Sequence, residues 1–236
     1  MFKNKRKKKK AAILPRKLIT IVNPMAVVSE QFKTIRTNIN FSMPDKDLKT
    51  LLITSSTPGE GKSTISSNAA VVFTQEGKKV LIVDADMRKP TMHHTFKLNN
   101  VNGLANVLTR QAIIADVIQE SGIEGLSVMT SGPIPPNPAE LLTSQMMTSV
   151  MQDLARDYDL IIFDAPPILS VTDAQILSNK CDGTILVVNS GTAEKAGVVK
   201  AKEALLASQA NILGVVLNNF KLERDHYYYQ YYGSKE

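Results

Sequence analysis

The stretch from Lys49 to Arg88 constrains the fold of this chain more than any other part of the sequence. It contains an apolar strand, a turn-rich loop, a helical segment and a second apolar strand that ends in acidic residues. The loop between the first strand and the helix reads Ser56-Thr57-Pro58-Gly59-Glu60-Gly61-Lys62-Ser63. Glycines in this setting let backbone N–H groups approach phosphate oxygens closely, with a lysine charge and a serine hydroxyl beside them. The stretch therefore predicts a phosphate-binding loop that takes a magnesium nucleotide.

The acidic residues that follow two apolar strands support this interpretation. Ser56 stands where the usual pattern G-x-x-x-x-G-K-[ST] has its first glycine, which weakens the loop taken alone. Asp84 and Asp86 follow one strand, however, and Asp164 follows another. Carboxylates at the ends of buried strands are costly unless a cation compensates them, and Mg²⁺ beside the loop is that cation. The alternative is an ordinary glycine and proline turn with unrelated strand-end aspartates.

Strands and helical patterns alternate along the rest of the chain. Helices are predicted over 27–41, 63–76, 139–158, 172–180 and 193–209, with two short helical patterns in 104–119 and further strands over 126–130, 184–188 and 212–217. Continuous Val, Ile and Leu strands between helices indicate an α/β fold, a doubly wound, mostly parallel sheet with helices on both faces. Its ligand site is expected at the carboxyl ends of the strands, where Asn218 would join the acids.

Positive charge is concentrated at the N-terminus. The net charge is +6, and residues 1–17 carry nine Lys and Arg and no acid, so the remaining 219 residues sum to 6 − 9 = −3. We expect a flexible basic arm over 1–22, a domain over 23–219 and a tail over 220–236. Anionic lipid would attract such an arm, and on charge alone nucleic acid would attract it equally. The alternative is a solvated tail that binds neither.

Cysteine usage and hydropathy indicate a cytoplasmic protein. Cys181 is the only cysteine, so an intramolecular disulfide cannot form and a reducing compartment fits. The longest apolar runs have strand length, well short of the roughly 18 residues of a membrane span. No secretory signal pattern is recognised at the basic N-terminus.

Two further features each allow more than one interpretation. On the predicted helix 27–41, Val28, Phe32, Ile35 and Ile39 form an apolar stripe with Ser29 as a candidate N-cap, and Glu30, Lys33 and Arg36 lie off it. Physics alone favours a solvated charged face over an interface for these three. Five of the six tyrosines lie close to the C-terminus, namely Tyr227, Tyr228, Tyr229, Tyr231 and Tyr232. They are either phosphate acceptors on a mobile segment or an aromatic edge strand or self-association patch.

These motifs together resemble the bacterial tyrosine kinases of capsular and exopolysaccharide synthesis, a branch of the deviant P-loop ATPases related to the partitioning ATPases. The likeness extends over residues 23–233 and is carried by residues 57–64, 80–88, 160–167 and the tyrosine cluster. It implies an ATP-dependent protein-tyrosine kinase that transfers the γ-phosphate to C-terminal tyrosines in trans, and to other proteins. ATP and Mg²⁺ are the implied cofactors.

The resemblance also implies roles for individual residues. Nucleotide binding falls to Thr57, Pro58, Gly59, Glu60, Gly61, Lys62, Ser63, Thr64 and Asn218, and metal binding to Ser63, Asp86 and Asp164. Asp84 corresponds to the aspartate that takes the acceptor tyrosine's proton. Glu30, Lys33 and Arg36 match an E-x-x-R-x-x-R subunit-contact motif, which reverses the physical expectation for them. Here Lys33 replaces the first arginine, and lysine cannot form a bidentate fork.

Partners follow from the same resemblance. It implies a membrane-spanning activator or polysaccharide co-polymerase with a cytoplasmic tail, a cognate tyrosine phosphatase, a homo-oligomeric ring and recruitment to the inner face of the membrane; no nucleic-acid partner is expected. Two rival functions remain. A partitioning-type ATPase switch usually carries a signature lysine where Thr57 stands, and it lacks a tyrosine tail. A non-enzymatic nucleotide-binding module would not need the complete acidic set.

Overall fold

The structure is a computed structural model that describes residues 18–44 and 47–220. Residues 1–17 of the predicted basic arm and the tyrosines of the predicted tail lie outside the described residues, whereas the last four residues of that arm, Ile19–Val22, form a short helix. Within the described part, none of the helices is both long and apolar enough to cross a bilayer.

A seven-stranded sheet forms the centre of the domain. Its strands are β1 (Thr50–Ser55), β2 (Val80–Asp84), β3 (Ile118–Ile123), β4 (Leu126–Met129), β5 (Leu160–Asp164), β6 (Gly183–Asn189) and β7 (Ile212–Asn218), in the order β3-β4-β2-β5-β1-β6-β7. Every neighbouring pair is parallel except β3 and β4. The predicted mostly parallel sheet is confirmed.

Ten helices connect and cover the strands in the described residues. They are α1 (Ile19–Val22), α2 (Val27–Phe41), α3 (Lys62–Thr74), α4 (Met92–Phe96), α5 (Leu104–Leu108), α6 (Ile114–Val117), α7 (Pro138–Thr143), α8 (Gln145–Asp157), α9 (Asp173–Lys180) and α10 (Lys195–Ala207). Helices α2, α3 and α4 contribute to the apolar cluster on one face of the sheet, and α5 and α7 to α10 to the cluster on the other. The predicted two-faced covering is therefore also confirmed.

The strand sequences explain why both faces are covered. All residues of β1, β2, β5 and β6 are buried. Successive side chains of a strand point to opposite faces, so Leu51 and Ile53 join one cluster while Leu52 joins the other. Strands that are apolar at every position can be stable only with helices on both sides.

The structure corrects several local predictions. Residues 118–123 form β3, an antiparallel partner of β4 that was not predicted, and only its first two residues fall in the helical patterns predicted over 104–119. The helix predicted over 139–158 is broken at Ser144, whose side chain accepts a hydrogen bond from the Met147 N–H and so caps a new helix. Ser29 is not an N-cap, because α2 begins after Ala26 and the Ser29 hydroxyl donates instead to the Asn23 carbonyl at 2.7 Å. Val28, placed on the apolar stripe, is 47% exposed.

Candidate functional site

The phosphate-binding loop joins β1 to α3 at the carboxyl edge of the sheet. Gly59 and Gly61 have φ values of 87° and 95°, in the left-handed region that side chains other than glycine rarely adopt. A Cβ added at Gly61 would lie 2.1 Å from Asn218 Nδ2. That amide donates to the Glu60 carbonyl at 2.9 Å, so the end of β7 contacts the loop directly. The loop is thus held in a conformation that only glycine permits at Gly61.

A buried carboxylate braces the loop from inside. Glu60 is 1% exposed, and the Ser56 hydroxyl lies 2.8 Å from both of its carboxylate oxygens. The Thr57 N–H donates to Glu60 Oε2 at 3.0 Å. These bonds satisfy a charge that would otherwise be costly to bury. The sequence showed Ser56 only as a departure from the usual motif and gave no sign of its contact with Glu60.

Lys62 and the acids at the strand ends form a compact ionic cluster. Lys62 Nζ lies 3.1 Å from Asp86 Oδ2 and 3.3 Å from Asp164 Oδ2. The Ser63 hydroxyl donates to the same Asp164 oxygen at 2.5 Å, and the Ser66 hydroxyl lies 3.0 Å from Asp164 Oδ1. Burial lowers the pKa of Lys62, but the charges of Asp164, Asp86 and Asp84 outweigh it, so that this pKa lies above its ordinary value. The lysine stays charged at neutral pH.

Asp84 lies deeper than the other acids. It pairs with Asp164 in the register of β2 and β5 and has no exposed surface. Its Oδ2 accepts hydrogen bonds from the Thr91 and Met92 N–H groups at 2.8 and 2.9 Å, which fixes the start of α4. Burial and the charge of Asp164 raise the pKa of Asp84 to about 7, against the opposing effect of its backbone hydrogen bonds and Lys62. Asp84 therefore changes protonation near neutral pH.

Arg88 forms an ion pair with Asp173, a buried acid outside this cluster. Arg88 Nε and Nη2 donate to the two carboxylate oxygens of Asp173 at 2.9 Å each, a bidentate pair between the loop after β2 and the start of α9. Asp173 is fully buried, whereas the Arg88 side chain is 39% exposed. The sequence did not identify Asp173 as the partner of Arg88, because the two residues are 85 positions apart.

The three residues matched to the subunit-contact motif lie on α2 in different settings. Glu30 and Lys33 form an exposed ion pair at 2.7 Å. Arg36 is directed toward the end of α3. Its Nη1 donates to the Val72 carbonyl on that helix at 2.6 Å, and its Nε lies 2.8 Å from Oε1 of Glu76, just after the helix. Arg36 thus makes its contacts within its own chain. Contact of Arg36 with another subunit would have to leave its bonds to Val72 and Glu76 in place or replace them.

The residues of the site fit a magnesium nucleotide. The loop presents its N–H groups and the start of α3 at the carboxyl edge of the sheet, where phosphate groups bind to such folds. Ser63, Asp86 and Asp164 supply oxygen ligands of the kind Mg²⁺ prefers. The geometry thus collects on one edge all the groups that the sequence placed there, including Asn218.

Comparison with known proteins agrees with this arrangement. Residues 48–211 match a protein-family model described as an AAA domain. The chain is 49% identical over 230 residues to the tyrosine-protein kinase YwqD of Bacillus subtilis (strain 168), covering 98% of this chain and 97% of that protein. It is 42% identical over 226 residues to the putative tyrosine-protein kinase CapB of Staphylococcus aureus, covering 96% and 98%.

A solved structure extends the match to three dimensions. The kinase domain of the Escherichia coli tyrosine kinase ETK superposes with a TM-score of 0.85 at 32% identity, covering 94% of this chain and 85% of that one. Identity of this level over nearly full lengths shows common descent as well as a common fold. The resemblance drawn from the sequence is therefore confirmed: the chain belongs to the bacterial tyrosine-protein kinases of capsular and exopolysaccharide synthesis, within the P-loop ATPase group.

Proposed function

We propose that this tyrosine kinase uses ATP and Mg²⁺ to phosphorylate its own C-terminal tyrosines in trans, and through them regulates capsular or exopolysaccharide synthesis and export. The observation that carries the proposal is the convergence of Lys62, Ser63, Asp86 and Asp164 beside the loop. A partitioning-type switch would share these groups. The kinase relatives and the cluster of five acceptor tyrosines favour phosphoryl transfer to protein.

Each residue of the cluster has a role that its position supports. A bound nucleotide would supply the γ-phosphoryl group, and its Mg²⁺ would neutralise the negative charge that develops on the oxygens. Ser63, Asp86 and Asp164 would hold the metal. Lys62, bound to two carboxylates in this structure, is positioned to exchange one of them for phosphate oxygen. The loop N–H groups orient the phosphates, and Asn218 keeps the loop in register through the Glu60 carbonyl.

Asp84 is the proposed proton acceptor. A free tyrosine has a pKa of about 10, so about one molecule in a thousand is ionised at neutral pH and a nearby base speeds the transfer. The pKa of Asp84, about 7, suits this task better than that of an ordinary aspartate. Asp84 Oδ2 accepts two backbone hydrogen bonds of 2.8 and 2.9 Å, whereas Oδ1 accepts only the longer bond of 3.3 Å from the Asp86 N–H, so Oδ1 is the atom that would take the proton.

The partners are proposed from the family. They are a membrane-spanning activator whose cytoplasmic tail binds the kinase, a tyrosine phosphatase that resets it, and further copies of the chain in a ring that uses Glu30, Lys33 and Arg36. The basic segment 1–17 would hold the protein at the anionic inner face of the membrane. Each phosphate adds about 1.5 to 2 negative charges, so a multiply phosphorylated tail would leave a neighbour's acidic site.

Labelling with γ-labelled ATP tests the kinase proposal. The purified chain with its activator is compared with Lys62→Met, with a variant whose five tail tyrosines are all Phe, and with Lys202→Met on the exposed face of α10 as a control. We expect label on tyrosine in the unchanged chain and the control only. The tail variant retains Tyr158, which is 6% exposed. Full labelling of that variant would exclude the tail tyrosines as the phosphate acceptors. Release of phosphate without labelled protein would establish an ATPase switch.

A further inference from the structure

Ser66 places a buried hydroxyl beside the acidic cluster, and the proposed function assigns it no role. The side chain has no exposed surface, and its Oγ donates to Asp164 Oδ1 at 3.0 Å. The other oxygen of this carboxylate, Oδ2, is bound by Lys62 Nζ and by the Ser63 hydroxyl. Three side chains of α3 thus hold both oxygens of one aspartate, and Ser66 holds its oxygen independently of the other two.

The spacing along α3 explains why this serine contacts the cluster. Residues three apart on a helix lie on the same face, so Ser63 and Ser66 are both directed to the end of β5, where Asp164 lies. Ser67 is equally buried but lies on a different side of the helix. Its hydroxyl donates to the Ser63 carbonyl at 2.7 Å and lies 3.4 Å from Met92 Sδ. Of these two adjacent serines, Ser66 is the one whose hydroxyl contacts an acid of the cluster.

The hydroxyl proton of Ser66 has two acceptors within reach. They are Asp164 Oδ1 at 3.0 Å and the Lys62 carbonyl at 2.9 Å. In a regular α-helix that carbonyl already accepts the N–H of the residue four positions later, which is Ser66 itself. A hydrogen bond to a carboxylate is also roughly twice as strong as one between neutral groups. The proton therefore lies between Ser66 and Asp164.

Nucleotide binding would leave Ser66 as the lasting contact of Asp164 with α3. In the proposed function, Lys62 exchanges a carboxylate for phosphate oxygen and Ser63 binds the metal, so both bonds to Oδ2 are open to exchange. Ser66 lies one turn further along the helix and can keep its bond to Oδ1. Asp86, the other acid assigned to the metal, is fixed by its own loop, because its Oδ1 accepts a backbone N–H at 3.0 Å. Ser66 supplies the corresponding bond to Asp164.

We propose that Ser66 is a positioning residue for magnesium, which keeps the Asp164 carboxylate in its metal-binding orientation while Lys62 and Ser63 exchange partners. The inference rests on the metal site of the proposed function and adds a residue that does not itself bind the metal. Removing a hydrogen-bond partner of a metal-ligating group typically lowers metal affinity by about 10- to 100-fold. Ser66→Ala should therefore weaken metal binding and leave the binding of metal-free nucleotide unchanged.

Electron paramagnetic resonance of Mn²⁺, which prefers the same oxygen ligands as Mg²⁺, measures this affinity. The purified full chain, in excess over ADP, is titrated with Mn²⁺, and the affinity for ADP in EDTA is measured by calorimetry. Ser67→Ala is the matched control, because it also removes a fully buried hydroxyl that bonds to a carbonyl of the same helix. We expect Ser66→Ala to lose at least about tenfold in Mn²⁺ affinity and the control to match the unchanged chain. The affinity for ADP in EDTA should be equal in all three proteins.

Three results would overturn the inference. They are an unchanged Mn²⁺ affinity in Ser66→Ala, an equal loss in Ser67→Ala, or an equal loss of ADP affinity in EDTA, which would assign Ser66 to the loop. Unfolding midpoints in urea verify that both variants are folded. If the unchanged chain with ADP binds no Mn²⁺, the proposed metal site fails together with the inference. If Mn²⁺ binding responds to Ser66→Ala but the unchanged chain labels no tyrosine, the kinase proposal fails and the role of Ser66 stands.

Discussion

Replacing Asp84 by Asn tests how the acidic cluster is built. The carboxyl group is fully buried beside Asp164, and its pKa rises from 3.8 to about 7. Each pKa unit is equivalent to about 1.36 kcal/mol, so an ionised Asp84 costs the folded protein about 4 kcal/mol at about pH 8. Asparagine has nearly the same shape and no charge, and the Asp84→Asn variant is relieved of that cost.

The substitution also removes one interaction. Asparagine retains a single oxygen, which can accept the hydrogen bonds that the Thr91 and Met92 N–H groups make with Asp84 Oδ2. The other oxygen accepts at 3.3 Å from the Asp86 N–H, and the NH₂ group that replaces it cannot. Losing that long bond costs about 1 kcal/mol. We therefore expect Asp84→Asn to raise the free energy of unfolding by about 3 kcal/mol at about pH 8, while tyrosine labelling is lost.

The free energy of unfolding that Asp84→Asn gains over wild type depends on pH, and the sign of this dependence follows from the pKa of Asp84. The pKa of Asp84 is higher in the folded than in the unfolded protein, so the folded state binds more protons between about pH 4 and pH 7. Wild-type stability consequently falls as the pH rises through this window. Urea unfolding should show the advantage of Asp84→Asn shrinking by about 3 kcal/mol from about pH 8 to pH 5. Asp157→Asn, exposed at the end of α8, is the control. A variant less stable than wild type at about pH 8, or an advantage independent of pH, would refute the assigned charge cost.

Two further substitutions test the loop and the ion pair beside it. Gly61→Ala combines left-handed strain with a contact to Asn218 Nδ2, whereas Gly59→Ala has the strain and no atom within 4 Å. Calorimetry should show that Gly61→Ala weakens ADP binding about tenfold more than Gly59→Ala does. Equal losses of affinity in the two variants would argue against the contact with Asn218 as the cause. Arg88→Ala leaves the buried Asp173 unpaired and should lower the free energy of unfolding by about 2 kcal/mol, less than for a fully buried pair because Arg88 is 39% exposed. Adding Asp173→Asn should recover much of the lost free energy of unfolding, as measured in urea. If nothing is recovered, the unpaired charge of Asp173 is not the cause of the loss.

The positions of the site residues along the sequence made much of the site predictable. Lys62, Asp86 and Asp164 each follow an apolar strand, and the carboxyl ends of parallel strands meet at one edge of the sheet. Knowledge of the strands and their direction was therefore sufficient to bring these groups together. The bounds of α2 were likewise predictable, because its apolar residues recur at helical spacing.

Contacts between segments far apart in the sequence were not predictable in this way. Nothing near Arg88 in the chain identifies Asp173 as its partner, since the pairing depends on where α9 begins in space. Strand β3 was not predicted, because residues 118–123 lie at the sheet edge and alternate only partly between buried and exposed positions. Tertiary pairing with β4 decided its conformation, as is common for short edge segments.

The serine at the first glycine position of the motif illustrates the difference between a sequence pattern and its physical cause. Among the described residues, those other than glycine with positive φ are Lys97, Arg110, Gln209 and Asn219, so Ser56 does not use the conformational freedom of glycine. Its hydroxyl instead contacts the buried Glu60 carboxylate, which also accepts the Thr57 N–H. Glycine at this position would leave Glu60 with one donor fewer. The loop requires glycine at Gly59 and Gly61, where the backbone is left-handed. At Ser56 no such conformation is needed, and the serine that replaces the usual glycine adds a hydrogen bond to Glu60.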